Sequence, residues 1–132
     1  MQPPLPLAGL KILVVDDDDD SRFYITVVLE ADGAIATAVA SAAAALKVIP
    51  QLQPDVLICD IAMPNEDGYT LIRKIRALKP DIFPAIALTA YADTEDRNRA
   101  LAAGFQDHVG KPVDPGELVE IVANVVASFK AQ

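Results

Sequence analysis

Short apolar runs alternate with longer mixed stretches along this chain, and a polar residue follows most of the runs. Runs of four or five apolar residues are too short for buried helices and are typical of strands buried on both faces of a parallel sheet. The strands predicted in this way are Lys11–Val15, Ile35–Val39, Val56–Asp60, Ala85–Thr89 and residues 106–110.

The mixed stretches between the runs predict helices, because most of them carry a polar capping residue at the start and Gly or Pro near the end. Asp19 or Asp20 is expected to cap the first helix, Ser41 the second and Asp93 the fourth. The predicted helices end at about Ala31, Pro50, Leu78, Ala103 and Ser128.

Five strands alternating with five helices predict an α/β protein with a doubly wound parallel sheet. Right-handed crossovers leave few topologies, of which the strand order 2-1-3-4-5 is expected. This order brings the ends of strands one and three together at a switch point, where open parallel sheets bind ligands. Residues 1–9 contain three prolines and are predicted to be a tail or linker, and residues 10–130 a single domain.

Composition narrows the class of protein further. The chain has 132 residues, of which 52% are hydrophobic and 23% charged, as expected for one globular domain. The net charge of −8 disfavours binding to nucleic acid or to anionic membranes. A single cysteine, Cys59, and the absence of an apolar run of about 18 residues favour a cytoplasmic protein.

Acidic residues follow two of the strands that the topology brings together. Asp16 and Asp17 begin a run of five aspartates after strand one, and Asp60 ends strand three. Asp60 alone is equally consistent with a turn cap, but two carboxylates about 4 Å apart repel by roughly 4 kcal/mol at an effective dielectric constant near 20. Such a group must protonate, separate or bind a cation, and a few hard oxygen ligands suit Mg²⁺.

Two more polar side chains follow strands at the same edge of the sheet. Thr89 ends strand four, and Lys111 follows strand five. Acids that hold a metal, one acid that attacks, a hydroxyl and a cation together match phosphoryl transfer to a carboxylate.

The order and spacing of these motifs resemble those of receiver domains of two-component response regulators over about residues 10 to 128. The resemblance implies a flavodoxin-like fold, and details of the fourth strand are similar to receivers attached to hybrid histidine kinases. The motifs that carry it are Val14-Val15-Asp16-Asp17, Asp60 with Met63-Pro64 and Asp67-Gly68, Leu88-Thr89-Ala90, and Lys111-Pro112.

The resemblance also implies roles for the acids. Asp60 would accept the phosphoryl group, Asp17 would bind Mg²⁺ directly and Asp16 mainly through water. The backbone carbonyl of Ala62 would complete the protein ligands, and Asp18 would be a further acid at the rim of the pocket.

The remaining roles concern the phosphorylated state. Thr89 would hydrogen-bond the phosphoryl group, Lys111 would pair with it, and Tyr91 would shield it from water. His108 stands where the family usually has a switching Tyr or Phe, and it is expected to be either a partly buried structural imidazole or a group that couples the switch to pH.

The function expected from the resemblance is a signalling module that takes a phosphoryl group from a histidine kinase or histidine phosphotransfer protein and changes its surface for a downstream protein or domain. Beyond its own Mg²⁺-dependent phosphorylation and dephosphorylation it would not be an enzyme. Since no effector domain follows Ser128, no contact with DNA is expected from the chain. Excess apolar residues on the first helix would form a docking surface for the partner.

Three other functions remain to be compared. A degenerate receiver would bind its partner without phosphate. A phosphatase with Asp60 as nucleophile needs a general acid two residues later, where the chain has Ala62. A flavin-binding electron carrier needs a loop that accepts phosphate, which the five aspartates would repel.

Overall fold

Strands and helices alternate throughout the computed structural model, which describes residues 5–90 and 93–131. The strands are β1 (Lys11–Val15), β2 (Ile35–Val39), β3 (Val56–Asp60), β4 (Ala85–Thr89) and β5 (Asp107–Gly110). The helices are α1 (Asp19–Ala31), α2 (Ala42–Leu52), α3 (Gly68–Leu78), α4 (Thr94–Ala103) and α5 (Pro115–Lys130).

The strands form one parallel sheet in the order β2-β1-β3-β4-β5, which confirms the predicted doubly wound, flavodoxin-like topology. Val15 pairs with Cys59, so Asp16 and Asp60 follow neighbouring strand positions at the same edge. Thr89 pairs with Gly110 in the same way, which places Lys111 directly after the last pair. The register therefore gathers the polar strand ends at one edge of the sheet.

Apolar residues cover both faces of the sheet, and β3 is buried along its whole length. One face packs against α2, α3 and α4, with Leu57 and Cys59 among its core residues. The other face packs against α1 and α5, with Ile58 among its core residues. Burial on both faces explains why β1, β3 and β4 read as apolar runs rather than as alternating patterns, whereas the edge strands β2 and β5 are less buried.

The first helix begins one or two residues earlier than predicted. Its N-cap is Asp18, not Asp19 or Asp20, and the Asp18 carboxylate accepts a hydrogen bond from the Ser21 backbone N–H at 2.8 Å. The cause is Asp16, whose Oδ1 accepts a hydrogen bond from the Asp18 backbone N–H at 3.0 Å and so holds Asp18 in an extended conformation. Asp19 and Asp20 then lie in the first turn, where acids favour the helix dipole.

The second helix does not end at Pro50, as was predicted, but continues to Leu52. A proline lacks the N–H that bonds to the carbonyl four residues earlier, and in the last turn this removes one hydrogen bond without ending the helix. Gln53 adopts a left-handed conformation with φ of 48° and closes the helix through its N–H to the carbonyl of Ile49. Ser41 caps the start, as predicted.

The later elements agree with the sequence analysis within two residues. Asp93 caps α4, and Asp114 caps α5 with Pro115 in its first turn. The last helix extends to Lys130 rather than Ser128, and β5 begins at Asp107. Of the helices that the structure describes, none is long and apolar enough to span a membrane.

The described part of the predicted tail packs against the turn between α1 and β2. Leu7 is fully buried, and its N–H donates to the carbonyl of Asp32 at 2.9 Å. Gly33, with φ of +96°, lies so close to this segment that an added Cβ would be 2.9 Å from Cα of Ala8. The boundary between tail and domain at residue 10 remains a prediction, although Leu7 shares the core of the domain.

Candidate functional site

Three carboxylates converge where β1 and β3 end. Asp16, Asp17 and Asp60 each offer an oxygen, and these oxygens all lie within 4.8 Å of one another. Asp16 is fully buried and Asp60 is 6% exposed, whereas Asp17 is exposed to solvent. The group therefore has two buried acids and one that faces water.

Lys111 brings a positive charge into this group. Its Nζ lies 3.0 Å from Oδ2 of Asp16 and 3.3 Å from Oδ2 of Asp60. The backbone N–H of Lys111 donates to the carbonyl of Thr89 at 2.8 Å, so the end of β4 supports the loop that carries the lysine. The Lys111–Pro112 peptide bond is cis.

Asp16, the buried acid that follows β1, is held in place by several hydrogen-bond donors. Its Oδ1 accepts a hydrogen bond from the backbone N–H of Asp18 at 3.0 Å, and its Oδ2 accepts one from the hydroxyl of Ser21 at 2.7 Å. Arg22 donates through Nη1 to the backbone carbonyl of Asp16 at 2.8 Å. These contacts orient the carboxylate before any ligand binds.

Sequence reasoning missed Ser21. A signal was present, because Ser21 precedes Ile25 by four residues and Val28 by seven, so it continues the buried stripe of α1. A hydroxyl at the end of such a stripe, beside the ends of two strands, indicates a contact with the site.

The loop after β3 provides a hydrogen-bond donor for Asp60. The Ala62 backbone N–H donates to Oδ1 of Asp60 at 3.1 Å. Gly68, at the start of α3, donates through its N–H to the carbonyl of Ile61 at 3.0 Å. A Cβ at Gly68 would lie 2.6 Å from the carbonyl oxygen of Asp60, so the close return of the chain requires glycine.

Burial and neighbouring charges shift the acid–base behaviour of the site. Burial raises the pKa of Asp60, and Asp16 adds to this effect, although Lys111 and the Ala62 N–H oppose it. Burial alone would lower the pKa of Lys111, but its hydrogen bonds and charge interactions with Asp16 and Asp60 outweigh burial and raise it. Lys111 therefore remains a cation at neutral pH.

Cys59, next to Asp60 in the chain, is not a nucleophile in this arrangement. Burial raises the pKa of its thiol, and the nearby Asp60 raises it further. The thiol donates to the backbone carbonyl of Asp60 at 3.3 Å. It therefore stays protonated and belongs to the core.

The other predicted site residues lie at the same edge or could not be placed. Thr89 ends β4 and is partly exposed. His108 lies on β5 beside Ala87, and its buried Nδ1 has no hydrogen-bond partner among the described residues. The nearest acidic oxygen to this nitrogen is Oδ1 of Asp107 at 3.7 Å. Tyr91 lies outside the described residues.

The first helix presents apolar side chains beside the acidic site. Phe23 is 72% exposed, Val27 48% and Tyr24 41%, while Ile25 and Val28 are buried. Phe23 adjoins Arg22, which also contacts Asp16. This exposed group, called the α1 patch below and consisting of Phe23, Tyr24 and Val27, lies next to the carboxylates.

Buried acids lie at the switch point of the doubly wound sheet, and Lys111 reaches them from the end of β5. These features define the class of protein as an α/β domain with a charged site at the carboxyl edge of its sheet. The family model described as the response regulator receiver domain matches residues 12–123, and the chain belongs to this family.

Two similar proteins match nearly the whole of this chain. An uncharacterised 14.6 kDa protein in the sodA1 3′ region of Leptolyngbya boryana is 48% identical over 124 residues, covering 93% of this chain and 95% of that protein. The solved receiver domain of the Francisella response regulator 1452 is 31% identical with a TM-score of 0.82, covering 93% of this chain and 98% of that one.

A longer relative matches only through part of its length. The DNA-binding transcriptional regulator NtrC of Escherichia coli (strain K12) is 32% identical over 121 residues. The match covers 92% of this chain and 26% of NtrC, so the chain spans about a quarter of that relative.

Proposed function

We propose that this receiver domain accepts a phosphoryl group on Asp60 from a phosphohistidine, with Mg²⁺, and that phosphorylation changes a surface for a downstream protein or domain. The observation that carries the proposal is the meeting of Asp16, Asp17 and Asp60 with the ammonium group of Lys111. The attacking carboxylate and the phosphoryl group are both anionic. Acids alone would therefore repel the phosphoryl group, and a lysine alone would provide no carboxylate to accept it.

Phosphoryl transfer exchanges a phosphorus–nitrogen bond for a phosphorus–oxygen bond. A bond forms between a carboxylate oxygen of Asp60 and phosphorus as the phosphorus–nitrogen bond of the donor breaks. The electron pair of that bond returns to the imidazole nitrogen of the donor. Lys111 and the Ala62 N–H, which already contact the Asp60 carboxylate, are donors for the oxygens of the incoming group.

The donor chemistry of the acidic group fits Mg²⁺. Carboxylate oxygens are hard ligands, and this ion usually combines one or two carboxylates with water and phosphate oxygens. We propose Asp17 and Asp60 as direct ligands, Asp16 as a ligand through water and the carbonyl of Ala62 as the remaining protein ligand, with Asp18 at the rim. When bound, the ion would supply positive charge against the repulsion between acid and phosphoryl group.

The response to phosphorylation is proposed for residues at the ends of β4 and β5. Thr89 would bond the phosphoryl group through its hydroxyl, and Tyr91 would limit access of water. His108, whose Nδ1 lies 3.7 Å from Oδ1 of Asp107, would be either a structural imidazole or a group that couples the switch to pH. If phosphorylation of His108→Phe has the same pH profile as the wild type, the coupling does not exist.

The proposed partner is a histidine kinase or histidine phosphotransfer protein that docks on the α1 patch. Apolar side chains exposed to this degree beside a reactive site are typical of interaction surfaces. Phe23→Ala should slow transfer from a phosphorylated histidine donor several-fold without changing phosphorylation by acetyl phosphate. Leu78→Ala is the matched control, because Leu78 is 82% exposed but lies at the far end of α3.

The test of the function itself is incubation with acetyl phosphate and Mg²⁺, measured by intact mass. The wild type should gain one phosphoryl group, which EDTA should prevent, and Asp60→Asn should gain none. A wild type that stays unmodified with both acetyl phosphate and a phosphohistidine donor would favour a degenerate receiver. Sustained turnover of a small phosphate ester would instead favour a phosphatase.

A further inference from the structure

Three hydrogen bonds join Asp16, Asp18 and Ser21 in a closed ring. The Asp18 N–H donates to Oδ1 of Asp16, and the Asp18 carboxylate accepts from the Ser21 N–H at 2.8 Å. The Ser21 hydroxyl donates a hydrogen bond to Oδ2 of Asp16 at 2.7 Å, which closes the ring. The start of α1 and the rotamer of the buried acid are therefore fixed by the same three residues.

The ring limits what Asp16 can offer to a cation. Each carboxylate oxygen accepts about two hydrogen bonds. Oδ2 of Asp16 already accepts from Ser21 and from Lys111, at 2.7 and 3.0 Å, and Oδ1 accepts from Asp18. Since Oδ2 is fully used, Asp16 can hold an ion directly only through the remaining position on Oδ1.

We propose that Ser21 is a positioning residue that sets the cation selectivity of the site, an inference that rests on the proposed function. By holding Oδ2 of Asp16, its hydroxyl keeps the number of direct carboxylate ligands low. Mg²⁺ tolerates this because it retains water, whereas Ca²⁺ takes six to eight oxygen ligands in a flexible shell. Ser21 therefore favours the smaller ion.

A purely structural role for Ser21 makes a different prediction. Its contribution to the helix cap comes from the backbone N–H, which any residue except proline supplies. Removing the hydroxyl should therefore leave the cap in place and release only Oδ2 of Asp16. The loss of a hydrogen bond to the buried Asp16 would lower the stability of the metal-free fold in either case, whereas only the proposed role changes the ratio of the Mg²⁺ and Ca²⁺ affinities.

The test compares Ser21→Thr with Ser21→Val, which have nearly the same shape but differ by the hydroxyl. Affinities for Mg²⁺ and Ca²⁺ are measured by titration calorimetry without phosphodonor, and thermal unfolding is measured in EDTA. Ser21→Val should weaken Mg²⁺ binding about tenfold, as expected for loss of a group that orients a ligand. Its Ca²⁺ affinity should fall less, so that the preference for Mg²⁺ narrows, while Ser21→Thr should keep the preference.

Each outcome decides the inference. Unchanged Mg²⁺ affinity in Ser21→Val, or equal losses for the two ions, would overturn it while leaving the proposed function intact. If the wild type binds no Mg²⁺, the proposed function fails and the inference fails with it. Ser21→Ala, which removes the hydroxyl without adding a branched side chain, gives the same comparison if Ser21→Val folds poorly.

Discussion

The ammonium nitrogen of Lys111 lies 3.3 Å from Oδ2 of Asp60, a residue 51 positions earlier in the chain, and so joins the ends of β5 and β3. The same nitrogen contacts the buried Asp16, which means that one cation serves two acids. Despite this cation, burial keeps the pKa of Asp60 raised. Burial of the Asp60 carboxylate therefore opposes its ionisation, and ionising it in the fold has a cost in stability.

Asp60→Asn should stabilise the metal-free protein at neutral pH. Because the pKa of Asp60 is raised in the fold, its contribution to stability is complete at acidic pH and decreases as the pH rises through that pKa. The neutral amide avoids this decrease. The gain in melting temperature, measured in EDTA, should be clear at pH 7.5 and should shrink towards pH 4.

Glu120→Gln is the control for this comparison, since it removes the same charge from an exposed position on α5. It should change the free energy of unfolding by no more than about 0.5 kcal/mol at either pH. If Asp60→Asn melts below the wild type at pH 7.5, the burial of Asp60 does not oppose folding as described.

Leu7→Ala should destabilise the protein by about 2–5 kcal/mol, the usual cost of truncating a buried leucine. Leu7 is fully buried although it belongs to the segment predicted as a tail. Leu5→Ala, at a position that is 53% exposed, should cost less than about 0.5 kcal/mol. Equal midpoints for the two variants in urea unfolding would show that residues 5–9 do not contribute to the core.

Gly68→Ala should destabilise the protein and Gly116→Ala should not, although both glycines lie in the first turn of a helix. A Cβ at Gly68 would lie 2.6 Å from the carbonyl oxygen of Asp60, which is backbone and cannot move cheaply, so a loss of about 1–3 kcal/mol is expected. The first atom that a Cβ at Gly116 would meet is 3.5 Å away, in ordinary contact.

At Gly116 the methyl group should therefore be neutral or stabilising by up to about 1 kcal/mol, because alanine restricts the unfolded chain. Chemical denaturation of both variants gives the comparison. Gly68→Ala should also reduce phosphorylation by acetyl phosphate, since the displaced atom belongs to Asp60. A Gly68→Ala variant with wild-type stability would mean that the α3 start tolerates a shift.

His108→Phe should raise the free energy of unfolding by about 1 kcal/mol. The Nδ1 atom of His108 is buried without a hydrogen-bond partner among the residues that the structure describes, and such an atom carries a desolvation cost. Phenylalanine keeps a planar aromatic ring at this position and removes both imidazole nitrogens. Asp107→Asn is the control, because it tests whether the carboxylate at 3.7 Å supports the imidazole. A His108→Phe variant less stable than the wild type would contradict the prediction.

The three inner strands of the sheet could be predicted because burial on both faces leaves a strong signal in sequence. The strands before residue 90 are apolar almost throughout, and their order follows from the handedness of crossovers. The start of α1 could not be predicted in the same way, because any of five aspartates can cap a helix. Asp18 was selected by a tertiary contact with Asp16 that a local pattern does not contain.

The convergence of the acids could be predicted from strand order alone, whereas their individual hydrogen bonds could not. Lys111 and Ser21 share Oδ2 of Asp16, and this choice of oxygen depends on rotamers that are fixed by packing.

The burial of Leu7 could not be predicted for another reason. A short segment rich in proline has no helical or strand period, so its packing depends on a single anchor rather than on a repeat.

The run of aspartates after β1 looks like a simple block of negative charge, yet its members have separate positions in the fold. Asp16 receives the lysine, Asp17 faces water beside it, Asp18 caps the helix and Asp19 pairs with Arg22. Deleting one aspartate would barely alter the composition but would shift the remaining acids by one step relative to the helix. In this segment the position of each aspartate determines its role, so two chains with the same number of acidic residues need not be equivalent.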